Sequence, residues 1–418
     1  MIKTSFKLSK IAVNFSALLC LTLAHSSNAS IIPPTWVSTT LLMQEYNTIV
    51  LNNLTTGASE VNGTLYVGGN IAAGNLLSVN SALMPDGSLG GSLVVGGIVA
   101  TPVQLHSGNV LVGGIVNANF NNSGGGNITV GDTVTGAITN MNGGDITIGG
   151  NATGSINNAG GGNITVGGSI TNTLDNQNGG DITVGSSITA AYNNQGGGNV
   201  TVGFYDIGGS ASSPVLLPEV SIGINVEDIR TRFEILSTEL STLSTNGIIE
   251  AGNFLTPDNE GGITFTLPGE TADDNDILVF DVDASFFDGD APSFFNSDIT
   301  TVVNVRGTNF IIKDFDFDNE FDNVLFNFYE AVTLNVDSTF GASILAPFAD
   351  TENTSEIKGS LVTNNYTNSG LVLPPVFDGD LTPWEVEPPT IVPVPASAWL
   401  FFSALVGMIF LRRRQVNS

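Results

Sequence analysis

Few side chains in this sequence are equipped for chemistry. Of 418 residues one is a cysteine, Cys20, and two are histidines, His25 and His106. Cys20 and His25 fall in an N-terminal stretch expected to be removed, which leaves His106 with neither a thiol nor a second imidazole. A nucleophile–base pair or a transition-metal cluster needs such partners, so neither suggests itself. Carboxylates are plentiful, with 39 Asp and Glu against 11 Lys and Arg. Two runs space them closely enough to consider calcium: Asp281, Asp283, Asp288 and Asp290, and Asp314, Asp316 and Asp318. Neither has the glycine that a calcium loop of the EF-hand type places at its sixth position, so a solvated acidic face is the favoured reading. Calcium is then the one cofactor to consider, and no other is expected. Paired acids could also cleave glycosides along a groove, but with most acids lying after residue 220 no pair is singled out. An enzyme is not expected.

The remaining chemistry is that of hydroxyl rows. Thr129, Thr147, Thr165, Thr183 and Thr201 recur at one spacing, and Thr135, Thr153, Thr171 and Thr189 form a second row. Hydroxyls repeated on a flat face could order water or ice, or hold a polymer through many weak contacts. The plainer reading is that threonine suits an exposed strand face. The first row is the candidate surface-binding face.

Such rows exist only if a regular scaffold aligns them. Ile128, Ile146, Ile164, Ile182 and Val200 lie 18 residues apart, and so do Val130, Ile148, Val166, Val184 and Val202. Apolar residues on either side of an outward threonine give the period of two that a half-buried strand requires. A second apolar pair, Val134 and Ile138, returns as Ala152 and Ile156. One coil buries too little to fold alone, and stacking supplies the missing partners, the logic of repeat architectures. Asn140, Asn158, Asn176 and Asn194 form a column expected to tie coil to coil. Asn127, Asp145, Asn163, Asp181 and Asn199 alternate in another, which keeps like charges apart. Paired glycines before each strand supply turns with positive φ. After the array, Val226, Ile229, Phe233, Leu236, Leu240 and Leu243 mark an amphipathic helix over about 225–245, closed by Asn246-Gly247 and expected to pack on the solenoid flank. Ser213 to Glu219 reads as a linker before it. Ahead of the array, Tyr46 to Ile71 reads as two strand-like runs.

Both ends look like processing signals. Lys3, Lys7 and Lys10 precede an apolar run and the small-x-small site Ser27-Asn28-Ala29, a signal peptide over 1–29. At the other end, Ala396 to Leu411 is an apolar run of 16 residues followed by Arg412, Arg413 and Arg414. That makes a short transmembrane helix with a basic, inward-held end. Val392-Pro393-Val394-Pro395 stands before it. Together these features resemble the PEP-CTERM sorting signal, with Val394 where the commonest form has Glu. The resemblance implies an exosortase-type processing enzyme as a partner, and transient or permanent attachment to the membrane through the C-terminal helix. With both ends set aside, five basic residues face all 39 acids. A surface so acidic excludes nucleic acid as a partner.

Between the ends, YNTIVLNNL and VNGTLYVGGNI near the start, and NVLFNFYEAVTLNV, FGASILAPFADTE, IKGSLVTNNYTNSG and PPVFDG from Asn323 to Gly379, resemble the choice-of-anchor A domain. That family joins one exported, adhesive domain to alternative anchors and brings no catalytic residues. The long array looks like an expansion within it. The expectation is a mainly β protein, a parallel β-solenoid (β-helix) with 18-residue coils, one helix on its flank and a short C-terminal transmembrane helix. The adhesive domain would span 30–381, with repeats over about 105–205 and a C-terminal β part at 248–381, followed by a Pro-rich linker at 382–395 and the anchor at 396–418. The function expected is a cell-surface or matrix protein binding extracellular polysaccharide or another surface ligand. Ice binding and polysaccharide cleavage are the alternatives.

Overall fold

The computed structural model describes residues 37–57, 59–203, 220, 222–246, 248–251, 263–266, 277–288, 293–294, 299–313 and 317–385. The leader, the linker at 213–219, Asp290, Asp314, Asp316, the sorting motif and the C-terminal apolar run lie outside them. Among the described residues no helix is long and apolar enough to cross a membrane.

The chain forms a parallel β-solenoid. Each coil of the array has three sides: a strand such as Ile128–Val130, a single bridge at Val134, and a strand such as Ile138–Asn140. Ile128 pairs with Ile146, Ile146 with Ile164, and Ile164 with Ile182, with no slip in register. Their side chains, with Val134, Ile138 and the equivalents above them, make one dry interior. The central residue of each strand points outward.

The stacking order is not the chain order. On the first side fourteen strands are joined by thirteen parallel pairings. The stack begins at Leu278–Asp283, continues through Thr301–Arg306, Phe317–Asn327, Phe340–Asn353 and Leu361–Asn368, and only then reaches Thr48–Val50. From there it climbs through the array to Val200–Val202. Thr48 therefore lies between Leu361 and Leu65, partners far apart in sequence. At about 4.8 Å per rung the stack is roughly 60 Å long. Ile248–Ala251, Ile263–Thr266 and Ser293–Phe294 form a separate small sheet.

Corners are set by close approach. A Cβ on Gly149 would stand 2.1 Å from the carbonyl oxygen of Gly131, and one on Gly167 would stand 2.0 Å from that of Gly149. Only glycine lets successive corners nest at the strand spacing. The turn before each strand alternates between two designs. Gly124-Gly125-Gly126-Asn127 is followed by Asn142-Gly143-Gly144-Asp145, then by the all-glycine form at 160–163 and the asparagine form at 178–181. A Cβ at Gly160 would lie 1.6 Å from the backbone nitrogen of Gly143, so two asparagine turns cannot be neighbours as the backbone stands. The true repeat is two coils long.

Polar columns stitch the rungs. Asn140, Asn158 and Asn176 are fully buried. Asn158 Nδ2 donates to the carbonyls of Gly144 (3.2 Å) and Gly161 (3.0 Å) and to Asn176 Oδ1 (3.2 Å). In the alternating column, Oδ1 of Asn127 accepts from the backbone N–H of Asp145, Asp145 from Asn163, and Asn163 from Asp181. Asn and Asp are interchangeable there because each offers the one oxygen needed.

Two helices cover the first side. Helix α1 is Thr39–Glu45 and helix α2 is Val226–Ser241, with Asn225 as its N-cap. The flank position expected for the helix is correct, but its end is not. It stops at Ser241, where Asn304 Nδ2 takes the Leu240 carbonyl. Asn246 instead extends the first rung: its N–H donates to the Val279 carbonyl and its Oδ1 accepts from the Val279 N–H. Four short strands, not two, occupy 48–67, because the chain turns three corners there. Packing also continues beyond residue 381, through a short 3₁₀ turn at Thr382–Trp384 to Glu385.

Candidate binding faces

Each of the three sides presents an outward column. On the first side it reads Asn304, Asn327, Leu345, Val362, Ile49, Tyr66, Val94, Leu111, then Thr129, Thr147, Thr165, Thr183 and Thr201. The change of chemistry follows the cover. The apolar members from Leu345 to Val94 are buried in a second core with Phe233, Leu236 and Leu240 of α2 and Leu42 and Met43 of α1. Asn327 and Asn304 anchor α2 through the carbonyls of Ser237 and Leu240, and Ser237 Oγ returns a hydrogen bond to Asn327 Oδ1 at 2.6 Å. Tyr66 is held neutral in this cover, its pKa pushed far up by burial and only partly offset by the Arg230 guanidinium. Threonine begins past the start of α2, where Val226 stands beside Gly68 and Gly96. Thr129 to Thr183 are half-buried and Thr201 is exposed. The chain that leads into α2 passes along the same corner, with Ile222 beside Gly113 and Val220 beside Gly149.

The second side carries the row that is open. Its inward bridges run Leu54, Ile71, Val99, Val116, Val134, Ala152, Ile170 and Ile188. The following outward residues are Thr55, Ala72, Ala100, Asn117, Thr135, Thr153, Thr171 and Thr189, and Thr367 pairs with Thr55 to extend the column. Thr55, Asn117 and the four threonines of the array are exposed. None of the nine is charged, although the chain carries a net charge of −28. Their hydroxyls lean on the protein: Thr135 Oγ1 donates to Asn117 Oδ1 (3.2 Å) and Thr153 Oγ1 to the Val134 carbonyl (3.4 Å). That leaves oxygen lone pairs facing outward. The structure thus aligns both threonine rows, but the more accessible one is the Thr135 row, not the Thr129 row taken as the candidate face. Sequence period alone gives no measure of which side a helix will border.

The third side is richer in amides, with Gln104, Asn121, Thr139, Asn157, Asp175 and Asn193 outward. Asn121 Nδ2 bonds Gln104 Oε1 at 2.7 Å and Asn193 Nδ2 bonds Asp175 Oδ1 at 2.9 Å, so much of this column serves itself. His106 follows the strand Val103–Leu105, with Nε2 3.0 Å from Ser78 Oγ.

The acidic candidates do not gather into a site in the part that is described. Asp281 is exposed and accepts from Thr245 Oγ1, and Asp283 accepts from the N–H and hydroxyl of Ser285, contacts that hold its carboxyl below the usual range. Asp288 ends a 3₁₀ turn, and Asp318 lies on the strand Phe317–Asn327. Among the described residues no three His, Cys, Asp or Glu side chains converge.

A long parallel β-solenoid with uncovered, regularly spaced hydroxyl columns offers repeating surfaces for contact. The chain matches the family described as "Putative Ice-binding-like adhesive domain" over residues 40–147 and 138–372. It belongs to that family, an adhesive family and not an enzyme family, and is accordingly an adhesive surface protein. Comparison with curated proteins and with solved structures gives no match.

Proposed function

We propose that the chain is exported, stays attached or is sorted through its C-terminal segment, and adheres to extracellular polysaccharide or another surface ligand through the second side of the solenoid. The observation that carries this reading is the family match across most of the solenoid, and the uncharged column from Thr367 to Thr189 supplies the face. Affinity arises by summation, since each rung offers one or two weak contacts and the rungs repeat. Within this reading residues 1–29 are the leader, the adhesive domain runs to Glu385, and 386–395 links it to the anchor at 396–418. The choice-of-anchor A and PEP-CTERM resemblances support a processing enzyme of the exosortase type acting near Val392-Pro393-Val394-Pro395, with Arg412 to Arg414 holding the tail inward. No enzymatic role and no nucleic-acid partner belong to this proposal.

Co-sedimentation with matrix polymer from the producing cells tests the adhesive face. Thr135→Glu, Thr153→Glu and Thr171→Glu together should abolish retention, while Thr147→Glu with Thr165→Glu on the first side should leave most of it. Equal retention in the first variant refutes the assignment. The register of the two threonine rows and the family's description favour ice as a second reading. Thermal hysteresis that disappears when Thr153 and Thr171 are made bulky would put ice ahead of polymer. Mass spectrometry of the C-terminus separates sorting, with an end near Pro395, from a stable anchor that retains Arg412 to Arg414.

A further inference from the structure

The last twelve residues of the domain, 374–385, pack differently from the rungs before them. The rungs are held by continuous ladders, whereas this segment follows the final strand Leu371–Leu373 without pairing as a strand itself. It is fastened by buried side chains and single hydrogen bonds. Phe377 and Leu381 are fully buried in the core shared by α1 and α2, and Trp384 packs partly against it. The N–H groups of Phe377, Asp378 and Asp380 donate to Ser360 Oγ, the Asp322 carbonyl and Thr300 Oγ1. Gln44 Nε2 of α1 donates to the Gly379 carbonyl.

At its end stands Glu385, whose Oε1 accepts from Ser38 Oγ and from the Thr40 N–H, both at 2.6 Å. Ser38 is also the N-cap of α1, accepting from the Leu41 N–H. Arg232 closes the cluster from α2: it donates to the Val37 carbonyl at 2.7 Å and pairs with Asp228, and the Glu385 carboxylate favours its charged form. The start of the domain and its last residue are thus tied at one point.

We propose that residues 374–385 are a strap latched by Glu385, which peels from the solenoid under tension applied through the C-terminal segment and re-seats when the tension falls. The proposal rests on the reading that the protein is held through that segment. Pulling from residue 386 onward reaches the Glu385 contacts first, then Trp384, Leu381 and Phe377 one after another. Releasing them opens no rung, because the strap contributes no ladder. The tether would lengthen by at most about 40 Å, twelve residues at the extended-chain limit of roughly 3.4 Å each less the distance the seated strap already spans. An adhesin bound through its coils would gain slack without unfolding.

Single-molecule pulling on the chain from Ser30 onward, with handles at Thr165→Cys and Thr390→Cys, tests this without any ligand. The expected trace has a reversible first step no longer than about 40 Å before any larger rupture. Glu385→Ala should lower the force of that step at least twofold, while Glu385→Gln, which keeps an acceptor for Ser38 and Thr40, should retain most of it. A first event that is already global unfolding overturns the proposal, as does a step unchanged in Glu385→Ala. Should Glu385→Ala fail to fold, Ser38→Ala removes one of the two donors and serves in its place. Hydrogen exchange gives a second readout: in either variant amides at 377–384 should exchange faster and those at 146–148 should not. Loss of the strap step would leave adhesion to polymer standing, and loss of adhesion would leave the step.

Discussion

Removing whole coils tests the two-coil repeat, because the structure sets a smaller deletion against a larger one. Deleting residues 146–163 takes out one coil of 18 and brings the turn at 178–181 directly onto the turn at 142–145. Two asparagine turns are then neighbours. The Cβ of Asn178 takes the place of Gly160, where it would lie 1.6 Å from the Gly143 nitrogen. Displacing backbone to relieve such an overlap costs about 1–3 kcal/mol. Asp181 also stacks on Asp145 at one rung's spacing instead of two, which adds about 0.2–1 kcal/mol. Deleting residues 146–181 takes out two coils, seats Gly196-Gly197-Gly198-Asn199 on Asn142-Gly143-Gly144-Asp145, and incurs neither cost. In a stack whose stability sums coil and interface terms, each coil removed also takes its own contribution, so the two deletions are compared per coil. The 18-residue deletion is therefore expected to cost more than half of what the 36-residue deletion costs, by roughly 1–4 kcal/mol, read from guanidinium unfolding followed by circular dichroism. A loss in the 18-residue deletion of half or less of that in the 36-residue deletion would refute the two-coil repeat.

Two further perturbations follow from buried groups. Asn158→Ala leaves the Gly144 and Gly161 carbonyls and Asn176 Oδ1 short of a donor and opens a small void, so it should destabilise by about 2–4 kcal/mol in thermal or chemical denaturation. The hydroxyls of Tyr46, Tyr66 and Tyr366 are all pushed well above their ordinary pKa by burial. The unfolded chain loses these protons near pH ~10 while the fold keeps them, so stability present below pH ~10 is lost as pH rises past it. Tyr66 Oη has no hydrogen-bond partner, so Tyr66→Phe should be neutral or slightly stabilising at pH 7 and move the alkaline unfolding midpoint upward. A clear loss of stability at pH 7 would contradict that burial picture.

Much of the array was legible because period and burial coincide. Ile128, Val130, Val134 and Ile138 read as inward from their spacing alone, and all are buried. Asn140 and Asn158 read as an internal ladder for the same reason. Three things were hidden. The two-coil turn depends on a steric overlap between Gly160 and Gly143, and spacing carries no distances. The order of rungs, with Leu361–Asn368 beneath Thr48–Val50, joins strands more than 300 residues apart that share no repeat motif. The accessible face depends on where α2 begins over the first side: Val226 stands beside Gly68 and Gly96, while Asn304 and Asn327 hold the other end through the Leu240 and Ser237 carbonyls. Both amides sit between apolar strand residues, and spacing alone does not assign them to a helix. The alternating Asn and Asp column was read as charge spacing, and it also supplies an acceptor to the next rung.

The most direct test of this account is a disulfide across the junction where the C-terminal rungs meet the N-terminal one. Thr55 and Thr367 are opposed outward residues of adjacent parallel strands, and neighbouring strands lie within the Cα separation a disulfide tolerates. In a chain beginning at Ser30, which has no other cysteine, Thr55→Cys with Thr367→Cys should oxidise to one intramolecular bond that peptide mapping places between these positions. Two thiols that stay free in the folded protein under the same oxidation would contradict the stacking order on which the fold and its faces depend.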